Sequence, residues 1–325
     1  MKISVIIPVH NSEIYVAEAV QSALAQTETT EVILVEDGSS DGSLARCRRL
    51  RDTNPRIRLF THPFGVNRGA SASRNLGIQN AQYNYIAFLD ADDFYLANRF
   101  SATTQVFAHD ETVEGVYEAI GTYFVSDEAE RRWRELQQSH LTTIRSGIPP
   151  EVLFREQSPI GCAGHCSLNG LTVRRSVFDK TGRFDTDLAF GEDTAFFMKL
   201  AACATLRPGQ VQQPVAMRRL HANNTVTRAR TVEDIWRYRL AMWLALYRWL
   251  KTQPRSAFNK KLSINKMLWE CYTITDPHLS LSHLLPLLLR RLLHMLHHEP
   301  AFLAERTFTV SVLKHFRHLA ARHRS

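Results

Sequence analysis

The sequence predicts an α/β protein built on a doubly wound, mostly parallel sheet and continued by a helical C-terminal extension. Three observations carry this. Short β-branched runs alternate with amphipathic helical stretches over residues 3–93. Acidic clusters, at residues 36–37 and 90–93, follow two of those runs directly. From Thr231 the pattern changes to almost continuous helix. A β-α-β-α-β-α-β alternation with short connections implies right-handed crossovers and parallel strands.

Residues 3–9 (Ile-Ser-Val-Ile-Ile-Pro-Val) read as a buried strand. Asn11 or Ser12 is placed to cap a helix whose apolar positions Val16, Ala19, Val20, Ala23 and Leu24 fall at helical spacing. Val32–Val35 is a second strand, after which Ser39 or Ser40 offers a cap for a helix through Leu50. A third strand is expected at Ile57–Thr61, a helix at about Gly69–Ala81, and a fourth strand at Tyr85–Leu89. Further strands are expected around Val116–Val125 and Gly170–Arg174, and a helix from Glu192 to about Ala204. In the extension, Ile235, Trp236, Leu240, Trp243, Leu244 and Tyr247 form one apolar face.

The chain has 325 residues, room for a catalytic domain with an appendage. Hydrophobic residues at 44% and charged residues at 22% suit a core that needs no covalent staples. Five scattered cysteines favour reduced thiols in a cytoplasmic setting over a disulfide framework. The N-terminus enters a strand pattern at once and carries no signal-peptide pattern. The longest charge-free apolar stretch near the C-terminus, Leu279–Leu289, contains Pro286 and falls short of the roughly 20 residues a membrane span needs. Net charge is +8, and residues 278–325 hold seven Lys/Arg against two Glu. That tail suits an anionic surface, either phospholipid or nucleic acid.

In parallel open sheets, ligands bind beyond the carboxyl ends of the strands, so the two acidic clusters are expected at one crevice. Carboxylates two apart, as in Asp90-Ala91-Asp92-Asp93, can present oxygens to one hard divalent cation that grips a diphosphate. The plainer alternative is a solvated acidic turn. Asp37, Ser39, Asp41 and Gly42 imitate the start of a calcium loop, but Arg48 stands where that loop needs Glu. Asp37 and Asp41 also suit a simple helix-capping role. Gly191-Glu192-Asp193-Thr194 at a helix start fits either a catalytic acid or carboxylates drawn to the helix dipole. Cys162, His165 and Cys166 lack a fourth ligand nearby and make a poor zinc site.

Five segments in series resemble the large family 2 of inverting glycosyltransferases. They are Ser4–Asn11, Glu36–Gly42, Asn67–Gly77, Phe88–Asp93, and Phe184-Asp185 with Gly191–Asp193. The likeness covers about residues 1–225. It implies the GT-A fold, which is Rossmann-like: residues 1–112 as the nucleotide-sugar-binding half, 113–228 as the acceptor-binding and catalytic half, and 229–325 as a basic helical extension. It also implies roles. Pro8 and His10 would flank a uracil-type base whose imide N–H Asp37 accepts. Asp90 would lie by the ribose and diphosphate, with Arg68 or Arg74 adding positive charge near the phosphates. Asp92 would ligate Mg²⁺ or Mn²⁺, with His221 approaching the metal or diphosphate. Asp193 would be the general base.

Such an enzyme takes a nucleotide-sugar donor, a UDP-sugar for choice, and a glycan or lipid-linked acceptor. Residues 160–169 suit an acceptor-lining loop. The absence of a Gln-x-x-Arg-Trp segment favours single-sugar addition over processive synthesis. The Leu/Arg/His-rich stretch from Leu284 to His298 suits either an interfacial helix on an anionic membrane, at its cytoplasmic face, or packing against the protein itself. Three other readings fit less well. A sugar nucleotidyltransferase would carry a Gly-rich loop where Pro8-Val9-His10-Asn11 stands. A silent scaffold would lack Asp92 or Asp193. A nucleic-acid binder would set the strand-end carboxylates against phosphates.

Overall fold

A computed structural model of the chain describes residues 1–135, 139–221, 224, 230–254, 256–275 and 280–322. Contacts divide it into two units: residues 1–187 with 196–228, and residues 188–195 with 229–325.

The first unit opens with β1 (Ile3–Val9), α1 (Val16–Leu24), β2 (Thr29–Glu36), α2 (Ser43–Thr53), β3 (Ile57–Thr61), α3 (Gly69–Asn80) and β4 (Tyr85–Phe88). Strands at 3–9 and 57–61 fall where the sequence places them. β5 (Phe94–Tyr95), α4 (Ser101–His109), β6 (Gly115–Tyr117), β7 (Ile120–Phe124), α5 (Asp127–Glu135) and β8 (Leu141–Thr142) follow. Then come α6 (Pro150–Glu156), β9 (Leu171–Arg174), α7 (Val177–Thr181), α8 (Glu192–Cys203), β10 (Leu206–Pro208) and β11 (Ala216–Leu220).

Seven strands form a sheet in the order β10-β6-β9-β4-β1-β2-β3, parallel except for β9. Its core faces are set by β1. Ile3, Val5, Ile7 and Val9 pack with Val16, Ala19, Val20 and Ala23 of α1 and Cys47 of α2. Ile6 points the other way, onto α3 at Gly77, where a Cβ would lie 2.4 Å from Ile6 Cγ2. Helices thus cover both faces, as a doubly wound sheet requires. Register fixes what lies beyond the strand ends. Val9 pairs with Glu36, and Asp37 N donates to Val9 O at 2.9 Å, so His10 and Asp37 emerge side by side. Ile6 pairs with Phe88, which brings Asp90 out on the same edge.

A second sheet, β5-β11-β7-β8, explains a departure from the sequence reading. The single strand expected over Val116–Val125 is broken at Glu118-Ala119, with β6 in one sheet and β7 in the other. The break follows from a buried charge. Glu118 is fully buried and accepts from Arg99 Nη1 (2.8 Å), Thr103 Oγ1 (2.7 Å) and Gln210 N (3.1 Å). Arg99, also fully buried, donates its other nitrogen to Leu171 O at 3.0 Å and lies over the Tyr95 and Phe100 rings. Burial pushes the Glu118 carboxyl up from its ordinary range, with the arginine opposing that shift.

The expected serine and asparagine caps are absent, because those side chains join two loops instead. Ser39 Oγ accepts from Asn11 N (3.0 Å), and Ser40 N donates to Asn11 Oδ1 (2.8 Å). Helix α2 starts later, at Ser43, whose N–H is taken by Asp41 Oδ1 at 3.0 Å. Ser12 Oγ donates to His10 O, while the backbone O of Ser12 accepts from Tyr15 and Val16.

In the second unit, α9 (Val232–Thr252), α10 (Ala257–Thr273), α11 (Leu281–His298) and α12 (Arg306–Arg322) follow in order. A Thr231–Asp234 capping box starts α9. Its buried stripe is Trp236, Leu240, Trp243, Leu244 and Tyr247 as expected, but Ile235 faces outward and is exposed. Glu270 of α10 accepts from Arg239 Nε (3.0 Å) and from Trp243 Nε1 (2.7 Å). Helix α11 runs through Pro286 at its sixth position, where the missing N–H leaves the Ser282 carbonyl without its i+4 donor. Among the described residues, no helix is long and apolar enough to cross a membrane.

Removing one partner of a buried ion pair strands the other charge, which costs about 3–5 kcal/mol. Glu118→Ala is therefore expected to lower unfolding stability by about that much. A urea titration followed by circular dichroism measures it, and a loss under 1 kcal/mol would contradict this account of the break between β6 and β7.

Candidate active site at the strand ends

The site of the first unit is assembled from the ends of β1, β2 and β4 and from β11. Pro8 is half-buried in β1 and His10 is exposed just beyond it. His10 Nδ1 stands 3.0 Å from Asp37 O, and its Nε2 stands 3.2 Å from Asn11 Nδ2. Asn67 Nδ2 also stands 3.0 Å from Nδ1, so the Asp37 carbonyl and the Asn67 amide compete for that nitrogen.

Asp37 is nearly inaccessible, at 3% exposed. Its Oδ1 accepts from Arg68 N (2.7 Å) and its Oδ2 from Gly69 N (2.9 Å). It therefore closes the start of α3, where helix N–H groups lack partners and the dipole favours negative charge. Each oxygen keeps a second lone pair, and His62 Nε2 stands 3.6 Å from Oδ1. The Arg68 side chain is exposed, and the bond to Asp37 uses only its backbone N–H.

Arg74 is buried, projects from α3, and places Nη2 3.0 Å from Asp90 Oδ1. Asp92 is half-buried, with Oδ2 3.1 Å from His221 Nε2 and 3.3 Å from Asn224 Nδ2. The His221 ring lies 4.9 Å from that of Tyr15. Ala222 and Asn223, part of the same sequence motif, lie outside the described residues.

Asp92 and His221 suit a divalent ion. Neighbouring ligands about 2.1 Å from an octahedral ion stand about 3.0 Å apart, close to the spacing seen here. Among the described residues no group of three or more His, Cys, Asp or Glu is arranged to hold a metal. The remaining positions would fall to water and substrate oxygens, as is usual for Mg²⁺.

Several residues that the sequence reading passed over hold this arrangement in place. Asp93 turns inward, accepting from Arg219 N (2.7 Å) and Asn169 Nδ2 (2.5 Å). Burial, then the neighbouring Asp92 and Asp90, push its carboxyl well above the usual carboxylate range. Asn169 also accepts from Asp90 N at 3.0 Å, so one amide braces both acids. Arg219 donates Nε to Asp92 O (2.9 Å) and Nη2 to Glu18 (2.6 Å), and lies over the Tyr15, Phe94 and Tyr123 rings. The one local signal for Arg219 is its place on β11, two residues before His221.

Asp193 belongs to the other unit. It stands on the first turn of α8 after Gly191, whose φ of +82° suits glycine, and accepts from Thr194 N at 2.6 Å.

The model of the family described as Glycosyl transferase family 2 matches residues 4–179. The chain belongs to that family. The minor teichoic acid biosynthesis protein GgaA of Bacillus subtilis is 28% identical over 204 residues, covering 61% of this chain and 42% of that one. The chain spans roughly a third to a half of the first curated relatives it matches, at 36%, 42% and 54% of their lengths. Among solved structures, S. aureus TarS 1-349 in complex with UDP-GlcNAc superposes with a TM-score of 0.64 at 17% identity, covering 92% of this chain and 81% of that one. The mannosyltransferase PcManGT from Pyrobaculum calidifontis, in complex with GDP-Man and Mn²⁺, gives a TM-score of 0.50 at 16% identity, covering 98% and 87%. These likenesses show the GT-A fold.

Arg219→Gln removes the guanidinium that holds the Asp92 carbonyl and Glu18. We expect a stability loss of about 2 kcal/mol, from two charge-assisted hydrogen bonds at a nearly buried site. Faster amide exchange at residues 91–94 should accompany it in hydrogen-exchange mass spectrometry. Unchanged exchange there would remove Arg219 from the support of the turn.

Proposed function

We propose that this protein transfers a single sugar from a nucleotide diphosphate, UDP for preference, to an acceptor hydroxyl with inversion at the anomeric carbon. The observation that carries the reading is the arrangement of Asp37, Asp90 and Asp92 along one edge of the sheet. Arg74 and His221 are set against the last two. Membership of glycosyl transferase family 2 and the fold shared with a UDP-GlcNAc-bound neighbour support it.

In this reading Pro8 and His10 bracket the uracil ring, and Asp37 accepts its imide N–H. That donor is present in uracil and thymine, whereas cytosine offers an amino group instead. Asp90 orients the ribose and diphosphate, and Arg74, with Arg68 at the rim, adds positive charge near the phosphates. Asp92 and His221 hold Mg²⁺ or Mn²⁺, which supplies positive charge against the departing diphosphate.

Asp193 takes the proton of the acceptor hydroxyl as its oxygen bonds to the anomeric carbon, and the bond from that carbon to the diphosphate breaks. A carboxylate is far too weak a base to ionise an alcohol beforehand, so proton transfer accompanies attack. Residues 160–169 line the acceptor side.

The acceptor is a glycan or a lipid-linked saccharide of the cell surface, and the reaction runs at the cytoplasmic face of the membrane. A relative named for minor teichoic acid biosynthesis supports a cell-surface acceptor.

Calorimetric titration with UDP, GDP, CDP and dTDP, with and without Mn²⁺, tests the donor site. We expect metal-dependent UDP binding that Asp92→Ala abolishes. Asp193→Asn should keep that binding while lowering transfer by about 10²–10⁴-fold, the usual worth of a positioned base. A folded sample that binds none of the nucleotides would replace this reading with that of a silent scaffold.

A further inference from the structure

The second unit displays an apolar ridge that its own packing does not use. On α11, Leu288, Leu292 and Met295 are buried, while Leu285, Leu289 and Leu293 are 45%, 55% and 59% exposed. The exposed three recur every fourth residue, which places them in one row about 12 Å long at 1.5 Å rise per residue. Single exposed leucines are ordinary, but a contiguous row is not. The neighbouring outer positions are Arg290, His294 and His297, all exposed.

Charge around the ridge has one sign. Helix α11 contains no Asp or Glu. Residues 230–325 hold sixteen Lys/Arg against six Asp/Glu, a net +10 where the whole chain is +8. The carboxylate nearest the ridge, Glu233, is shared among Arg237 (3.5 Å), Arg290 (3.4 Å) and Arg291 (3.1 Å), so local neutralisation is incomplete.

We infer that the outer face of α11 docks on an anionic phospholipid bilayer, with Leu285, Leu289 and Leu293 entering the headgroup boundary and Arg290 meeting lipid phosphates. An interfacial helix needs a row of apolar side chains beside positive charge, and here Arg290 borders the leucine row. The net charge selects the partner. A second copy of the chain would bring one basic unit against another, whereas an anionic leaflet complements it. Nucleic acid would match the charge but leave the leucine row in water. The inference goes beyond the transferase reading and does not depend on it.

The test is co-sedimentation of the full chain with phosphatidylcholine vesicles, with and without phosphatidylglycerol. The wild type should sediment only with the anionic vesicles, and less as salt is raised. A variant with Leu285→Gln, Leu289→Gln and Leu293→Gln together should bind them at least about 10-fold more weakly. Since all three side chains are exposed, its thermal melt should match the wild type's, which separates lost docking from lost folding. Equal binding by the folded variant, or no binding by the wild type, overturns the inference. So does a wild-type oligomer, seen by light scattering, that the variant converts to monomer, because a second copy then covers the ridge.

Discussion

Asp90, Asp92 and Asp93 crowd three carboxylates into four residues at the end of a buried strand, and much of the first unit answers that repulsion. Two like charges about 4 Å apart repel by on the order of 4 kcal/mol at an effective dielectric near 20. Each acid is given its own donor. Arg74 takes Asp90, His221 and Asn224 take Asp92, and Asn169 with the Arg219 N–H takes Asp93. These partners come from α3, from β11 and the turn after it, and from the segment just before β9. The second sheet is therefore part of the site's electrostatics, because β11 delivers both Arg219 and His221. Asp93 is the acid turned fully inward, leaving Asp90 and Asp92 half-exposed.

A similar device pins the other half of the rim. Asp37 spends two lone pairs on the start of α3, so the loop after β2 and the loop after β3 are bound to one carboxylate. Gly38, at φ +64°, lets this happen: a Cβ there would lie 2.6 Å from both Gly65 O and Asn67 N. The loop after β1 is tied in through His10 and Asn11. Three strand-end loops are thereby fixed to one another, and a prearranged polar rim avoids the cost of ordering loops on binding.

The sequence discloses what depends on neighbours in the chain and hides what depends on distant partners. β1 and β3 were legible because short β-branched runs between turn residues have few other solutions. The caps expected for α1 and α2 are absent because Ser39 Oγ accepts from Asn11 N across 28 residues and Asn11 Oδ1 accepts from Ser40 N, pairings no local pattern reports. The strand expected through Val116–Val125 hid a break whose cause, the Arg99–Glu118 pair, is formed by residues 19 apart. Arg219 and Asn169 escaped notice for the same reason, since each meets Asp93 from more than 70 residues away. The roles proposed for Asp92 and Asp193 rest on a series of motifs, because an acidic pair at a turn or helix start has several ordinary explanations.

In the helical unit, neighbouring cations serve different ends. Arg290 and Arg291 are neighbours of identical chemistry, yet one residue of helix turns a side chain by about 100°. Arg291 points inward, 1% exposed, and gives its Nη1 protons to Cys271 O and Ile274 O at the end of α10. A cation at a helix C-terminus answers both the unpaired carbonyls and the negative end of the dipole. Its charge is thus used in building the bundle. Arg290 points outward beside the leucine ridge. Of the two arginines in the leucine-rich stretch, Arg290 stays exposed with Glu233 3.4 Å away, while Arg291 is committed to closing the end of α10.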